Sequence, residues 1–413
     1  MSDSKRVVTG QQIGLLGGPL YTTYKVLGAV FHARQTGGEG VYWLETNDAD
    51  FNEINHVDYL DSEGKLRNLT WDIPTQGFSC GYIAVDDKLV QLLETFFSTI
   101  RQTEFTAMLR EIALGCYAPG RMLGDASTML AKELFASFGI RIFTPFDQEF
   151  RAFSQSILRK EAENTPDGEQ CNLFCMVGYQ RKTVFKKGGG FVLRDRTVID
   201  LHDYELVPNV KTRSVCQDAF FNTYMYVAGP GEVKYLGDLD HVFNFHGVKR
   251  AQVQPRMSLV LLEPRAQRLL KRAGLRVGDV MDHSREDLIK TVLKKSGDFD
   301  FDAAWEKGMN LAEDLVGKLK GLGLEEEELK GFQKTLQQEV KNTLGKWRAR
   351  MKEKHGQAIA DAGFLWDNLF PYGKPQERVF NIFYYMNLFG GKEFLGFLYK
   401  NYDPGSSMKI LEI

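Results

Sequence analysis

The chain has 413 residues, 43% hydrophobic and 26% charged, a globular balance that suits a large α/β core with an added module better than one ordinary domain. A formal net charge of −2 supplies no overall field to recruit nucleic acid or an anionic membrane. The polar start Met1–Lys5 does not read as a signal peptide, no segment reaches the length of an uncharged membrane helix, and an odd count of 5 cysteines argues for reduced thiols in the cytoplasm.

Arg6-Val7-Val8-Thr9-Gly10 reads as a short buried strand that runs into a glycine-containing loop, Gln11 to Pro19. Leu20 to Arg34 follows as a helix, with Tyr21, Tyr24, Leu27, Val30 and Phe31 along its buried side. Residues 37–40 break the chain, and Val41-Tyr42-Trp43-Leu44 is the second strand. Strand, helix and strand at these spacings form a βαβ unit, which implies parallel pairing. Helices are expected over Asp86–Arg101 and Leu123–Phe138, with Gly139 stopping the second and Ile140–Phe143 following as a strand. Between about 165 and 205, the short runs Asn172–Phe174, Thr183–Phe185, Phe191–Leu193 and Thr197–Ile199 predict a small antiparallel insertion. The core resumes near Asn209, with a helix from Val215 to Tyr226, another from Val233 to Asn244, and a strand at Ala251–Gln254.

Ser284 with Asp287 resembles a capping box. From Asp302 onward, Trp305, Leu311, Leu315, Leu319 and Leu322 suit one amphipathic helix. Leu329, Phe332, Leu336, Val340, Leu344, Trp347 and Met351 suit a second, and Gly321 and Gly323 mark the reversal between them. Such a pair makes a helical hairpin or short antiparallel coiled coil. Leu365 to Tyr402, rich in Phe and Tyr, is expected to pack back on the core. The organisation is therefore a parallel-sheet α/β core over 1–160, a connective β insertion over 161–207, and the second part of the core over 208–280. A helical hairpin over 281–360 and a C-terminal helical segment over 361–413 complete it.

Three polar constellations punctuate this frame. The first is Thr9-Gly10-Gln11-Gln12, with Gly17-Gly18-Pro19 and then Tyr24-Lys25. A loop between the first strand and first helix of an α/β sheet is where anions bind, because backbone N–H groups there are free. The glutamine amides both donate and accept, which suits a zwitterionic substrate. It is neither a Walker loop nor a dinucleotide fingerprint, and a purely structural turn is an even alternative. The second is Asn47-Asp48-Ala49-Asp50-Phe51 with His56, where the aspartates suit an amine, Mg²⁺ or a base. An Asx turn with solvated acids is the competing reading. The third runs from Asn209 through Arg213, Gln217 and Asp218 to Gly229 and Glu232, with Arg256 beyond. Arg213 suits a carboxylate or phosphate, unless Asp218 holds it in a buried structural pair. No metal site is expected: Cys171 and Cys175 are the one close cysteine pair, and no second pair follows at zinc spacing. None of the 7 histidines makes a His-x-x-x-His pair, and no Gly-x-Ser-x-Gly elbow is present, so zinc-enzyme and hydrolase readings are weak.

In this order, VVTGQQIGLLGGPLYTTYK, WLETNDADFNEINH, PNVKTRSVCQDAFFNTYMYVAGPGEVKY, VQPRMSLVLLEPR and FPYGKPQERVFNIFYYMNLFG resemble the family of the bacillithiol-synthesis cysteine-adding enzyme. The resemblance implies a Rossmann-like core similar to class I aminoacyl-tRNA synthetases, connective insertions, and a coiled coil that promotes homodimerisation. It implies an amide-forming ligase that joins the cysteine carboxyl to the amine of glucosaminyl-malate, with ATP, alone or with Mg²⁺, as activator and no covalently bound cofactor. On that reading Asp48, Asp50, Arg213 and Asp218 are catalytic. Thr9, Gly10, Gln11, Gln12, Gly17, Gly18, Tyr24, Lys25, His56, Asn209, Gln217, Gly229, Glu232 and Arg256 bind substrate. Alternatives are a ligase or nucleotidyltransferase of the same fold acting on another amine, and a non-catalytic dimeric binding protein. The chain departs from the family pattern at Ala49, where a histidine is usual, and at Ala228, where glycine is usual. The family pattern also includes a helical segment ahead of the first strand and a greater length.

Overall fold

The computed structural model describes residues 5–295, 301–320, 322–323, 325–405 and 408–413. Of the expected hairpin features, Gly321 lies outside the described residues, as do the side chains of Asp302 and Met351. The chain divides into two units, Met1–Leu261 with Gln376–Leu411, and Leu262–Pro375 with Glu412–Ile413. No described helix is long and apolar enough to cross a membrane.

The first unit opens with β1 (Arg6–Gln12), α1 (Leu20–Thr36) and β2 (Glu39–Glu45). A hairpin of β3 (His56–Leu60) and β4 (Leu66–Thr70) leads to α2 (Asp87–Thr99), α3 (Thr106–Cys116), α4 (Leu123–Phe135), β5 (Arg141–Phe143) and α5 (Gln148–Asn164). The expected antiparallel insertion is a sheet of five strands: β6 (Gln170–Val177), β7 (Gln180–Lys187), β8 (Gly190–Leu193), β9 (Val198–Ile199) and β10 (Leu206–Pro208). Then come α6 (Val210–Phe221), β11 (Thr223–Ala228), α7 (Pro230–Gly237), α8 (Asp240–His246) and β12 (Gln252–Pro255).

Strands β12-β11-β1-β2-β5 form one sheet in that order, and every pairing is parallel. Counting these five in chain order, the arrangement is 3-2-1-4-5, the doubly wound order whose ligands sit beyond the strand carboxyl ends where the order reverses. Here the reversal falls between β1 and β11. Beneath it, Val8, Val41, Trp43, Phe143, Phe150 and Phe221 join one apolar cluster with Cys171, Leu173 and Val184 of the insertion. Trp43 and Phe150 meet edge-on at 4.9 Å, a geometry aromatic quadrupoles favour.

Residues 223–226, expected as the end of a helix, instead begin β11, a central strand. Asn222 takes the left-handed conformation (φ 49°) and stops α6. The Thr-Tyr-Met-Tyr-Val run beyond it alternates on a pleated surface, where β-branched and aromatic side chains pack well. The expected second helix likewise divides into α7 and α8.

In the second unit, α9 (Pro264–Ala273), α10 (Val277–Met281) and α11 (Arg285–Lys295) precede the hairpin of α12 (Phe301–Lys320) and α13 (Glu326–Lys354), and α14 (Gly356–Leu369) follows. Ser284 caps α11: its hydroxyl accepts from the Asp287 amide at 3.1 Å and donates to the Asp287 carboxylate at 2.6 Å. The face of α12 that packs differs from the expected stripe. Ala312 and Val316 are buried, whereas Leu311 is 69% exposed and Leu315 40%. The reason is Gly308, where a Cβ would stand 2.8 Å from a methyl of Val340, so the helices meet along 308, 312 and 316.

Residues 376–411 return to the first unit with α15 (Ile382–Phe389) and α16 (Glu393–Lys400). Their seat on α1 is tight: a Cβ at Gly28 would lie 2.7 Å from the Tyr402 hydroxyl.

Candidate active site

A cleft of about 280 Å³ opens over the carboxyl ends of β1, β2, β11 and β12, at the point where the sheet order reverses. Each wall follows from the local fold. Gly10, Gln11 and Gln12 are the last residues of β1, and Trp43 and Glu45 stand at the end of β2. Arg213 and Gln217 project from α6, and Gly229 to Glu232 form the first turn of α7. Tyr21 and Lys25 lie one turn apart on α1. Arg378 comes from the returning C-terminal segment.

Four ion pairs organise the lining, one of them Asp48 with Arg181 at 2.9 Å. Lys25, 1% exposed, donates to Glu232 at 2.6 Å, to the Gln11 side-chain oxygen at 3.2 Å and to the Gly10 carbonyl. Burial lowers the Lys25 ammonium, and Glu232 pulls it back up. Burial pushes the Glu232 carboxyl up, but Lys25, the Gly229 amide and the Tyr226 hydroxyl outweigh it and hold it below its ordinary value. The second pair is Arg213 with Glu45 at 3.2 Å, and Glu45 also accepts from the Trp43 indole at 3.0 Å and the Asn47 amide at 2.9 Å. The third is Arg256 with Glu377, bidentate at 2.9 and 2.7 Å and buried. Bidentate charge-assisted pairs are the strong ones. The Arg256 Nε, also buried, has no partner among the described residues, and it lies 3.8 Å from where a Cβ on Gly229 would stand.

Four cations (Lys25, Arg213, Arg256, Arg378) thus face three carboxylates (Glu45, Asp48, Glu232) around the cleft. The balance favours a ligand carrying negative charge. Two of the carboxylates are fully engaged. Asp48 accepts through Oδ1 from Arg181 at 2.9 Å and from the Ala49 amide at 2.7 Å, and its Oδ2 has no partner among the described residues. Among the described residues, that oxygen is the one carboxylate oxygen of the lining without a partner.

Of the residues singled out from sequence, Gly10, Gln11, Gln12, Lys25, Asp48, Arg213, Gln217, Gly229, Glu232 and Arg256 line this cleft together. Others stand elsewhere. The Thr9 hydroxyl donates to the Val227 carbonyl at 2.8 Å and fastens β1 to β11. Tyr24 is fully buried, and burial raises its phenol well above the ordinary value. Asp50 is exposed and outside the lining. Gly17 and Gly18 shape the loop after β1 with φ of 84° and 72°. Asn209 caps α6, accepting from the Lys211 amide at 2.9 Å and the Thr212 amide at 3.2 Å. His56 borders a smaller adjoining recess.

Asp218 does not pair with Arg213. Its Oδ2 accepts from the Ala251 amide at 2.9 Å, which ties α6 to the segment before β12. Burial pushes its carboxyl up to about 6, against hydrogen bonds from Ala251, Thr223 and Gln217. A carboxyl raised in the folded state binds more protons than in the unfolded chain between pH 3.8 and about 6. Its stabilising contribution is therefore full below that window and is lost as pH rises through it. Asp218→Asn is expected to flatten the melting temperature across that window relative to the parent protein. A calorimetric pH series on both proteins checks this.

Sequence reasoning missed Glu45, Tyr21, Tyr226, Tyr235 and Arg378, all of which line the cleft. Glu45 had a signal: it is the polar residue directly after an apolar strand. Arg378 had none, because its place depends on a return of the chain from far downstream. All five cysteines are buried free thiols, and burial pushes Cys80 up to about 12. No group of three metal-ligating side chains is found among the described residues.

Residues 1–168 and 165–257 match the family described as "Bacillithiol biosynthesis BshC, N-terminal Rossmann-like domain", and residues 259–413 match "Bacillithiol biosynthesis BshC, C-terminal coiled-coil domain". Among similar proteins, each named "Putative cysteine ligase BshC", one from Geobacillus sp. (strain WCH70) is 29% identical over 94% of this chain and 80% of its own length. One from Salinibacter ruber is 27% identical over 93% and 78%, and one from Bacillus velezensis is 24% identical over 99% and 85%. A solved chain titled "putative arginyl t-RNA synthetase" from Campylobacter jejuni covers 96% of this chain and 93% of its own at 10% identity, with a TM-score of 0.30, too low to carry an argument.

Proposed function

The chain belongs to the bacillithiol biosynthesis BshC family, and from that premise we propose that it is an amide-forming ligase that joins the carboxyl of cysteine to the amine of glucosaminyl-malate. The observation that carries this reading is the cleft at the sheet's reversal point, with its excess of cations and one uncommitted carboxylate oxygen. A carboxylate does not condense with an amine at neutral pH until one of its oxygens becomes a leaving group. ATP, with Mg²⁺, would supply that chemistry when bound.

This chain's own residues divide the remaining work. Arg213 and the free Nε of Arg256 face the cleft as donors for negative charge that develops on the activated carboxyl. Fixed donors of this kind act without reorganisation as the charge forms. Lys25 and Glu232 hold Gln11 and the first turn of α7 in register. The Asp48 Oδ2 accepts the proton that the amine nitrogen sheds as its bond to the carbonyl carbon forms and the activated oxygen leaves.

The reading is tested by incubating purified protein with cysteine, glucosaminyl-malate and ATP-Mg and following the thiol product by mass spectrometry. A product of the condensed mass is expected. Absence of any condensed product removes the ligase reading, and product formation only with a different amino sugar moves the acceptor.

We also propose a homodimer formed through α12 and α13, in the reducing cytoplasm. Trp305, Leu311, Leu315, Phe332 and Trp347 are all at least 40% exposed on that hairpin, an apolar surface that solitary proteins rarely display. Leu311→Glu with Leu315→Glu is expected to halve the particle mass to the 47.0 kDa of one chain in light scattering. An unchanged mass would place the dimer elsewhere.

A further inference from the structure

Beside the main cleft lies a second recess of about 50 Å³, bordered in part by Gln11, Gln12, Tyr21 and Arg378, which also line the main cleft. By the measure that one water needs about 10–15 Å³, it accommodates a few heavy atoms. Its two walls differ in chemistry. One comes from the segment after β2 and carries acceptors: Glu53, which is exposed, and Asp58, 6% exposed. His56 stands beside Asp58 at 3.7 Å. The other wall comes from the C-terminal segment and carries donors, Arg378 and Asn381. The walls meet at their base, where Asp58 bridges to Phe380 through the backbone.

Asn381 supplies the decisive detail. Its side-chain oxygen accepts from the Tyr384 amide at 3.2 Å and caps α15. Its Nδ2 has no partner among the described residues, although the residue is only 3% exposed and borders the recess. A buried unpaired donor is costly unless something fills it. Arg378, exposed, has no ion-pair partner among the described residues and stands at the junction of the two lobes.

Resting on the ligase reading, we infer that the recess seats the amino-acid substrate as a zwitterion. Its ammonium lies against Glu53 and Asp58, and its carboxylate lies on Arg378 and the Asn381 Nδ2, facing the main cleft. Acceptors and donors lining one small recess match the two charges of an α-amino acid. The placement leaves the carboxyl at the edge of the lobe where Arg213 and Arg256 act.

The test titrates the full chain calorimetrically with L-cysteine, with cysteamine, which lacks the carboxylate, and with 3-mercaptopropionate, which lacks the ammonium. Cysteine is expected to bind at least about tenfold more tightly than either analogue, the scale of one lost charge-assisted contact. Arg378→Gln should abolish the advantage of cysteine over cysteamine, and Glu53→Gln should shrink the advantage over 3-mercaptopropionate. Both side chains are exposed, so melting curves should show intact folds. Asn381→Asp keeps the cap but replaces the inward donor with a negative acceptor, and it should weaken cysteine and 3-mercaptopropionate, the two probes with a carboxylate, while leaving cysteamine unchanged. Equal binding of all three probes, no cysteine binding at millimolar concentration, or variants within twofold of the parent would each overturn the inference. If the parent still makes the thiol product while those variants bind cysteine normally, the recess is refuted and the ligase reading stands. If cysteine binds as described but no amine is ever condensed, the reverse holds.

Discussion

Arg256→Met is expected to destabilise the protein by about 3–5 kcal/mol, the range for breaking one side of a buried ion pair. The arginine and Glu377 are 8% and 6% exposed, and two parallel hydrogen bonds join them. Methionine fills similar volume but leaves the Glu377 carboxylate buried with, among the described residues, only the Leu259 amide at 3.3 Å to receive it. Domains of ordinary stability hold about 5–15 kcal/mol in all, so the variant should melt well below the parent in a denaturant titration. The double variant Arg256→Met with Glu377→Leu removes both charges and should recover much of the loss, because a matched apolar pair is often no worse than a buried ion pair. A single variant as stable as the parent would mean that water reaches the carboxylate.

Arg213→Ala is expected to do the opposite: little to stability and much to turnover. Glu45 keeps the Trp43 indole and the Asn47 amide when Arg213 is removed, so it is not left without donors. The arginine side chain is 29% exposed on the cleft side, which further limits the folding cost. Removing one fixed donor for developing negative charge typically lowers kcat by about 10²–10³. Initial rates of thiol-product formation read this directly. Arg213→Lys keeps the charge but not the planar fork, and it should recover only part of the rate. A rate within threefold of the parent for the alanine variant would remove Arg213 from the reacting end of the cleft.

The sheet was legible wherever local pattern and topology agree. The Val7-Val8 and Val41–Leu44 runs are short apolar stretches bounded by turn residues, and with the helix α1 between them, itself buried on nearly every side, their spacing forces a parallel crossover. Strand β11 was not legible, because the apolar end of α6, Phe220-Phe221, runs through Asn222 into the Tyr and Met of the strand without a Gly or Pro to mark the boundary. Its left-handed backbone, visible only in the fold, makes the break. The hairpin stripe failed for a related reason. Leucines at helical spacing mark an apolar face, but Gly308 lets the helices approach along a different one.

The site was readable in its near parts and opaque in its far ones. Gln11, Asp48 and Arg213 announce themselves as polar residues at strand and helix ends. The pairing of Arg213 with Glu45 instead of Asp218 depends on how α6 lies across β2, which no spacing encodes. Arg378 and Asn381 reach the site through a chain return, and sequence offers no measure of such a distance.

The Arg256–Glu377 bridge spans 121 residues, and that separation sets a timetable for the newborn protein. A ribosome adding about 5–20 residues per second needs roughly 6–24 s to emerge from one partner to the other. Throughout that interval a cation destined for the interior has no counter-ion. The binding cleft is thus among the last features to mature during synthesis, and a translational pause within the intervening helices would prolong its incomplete state.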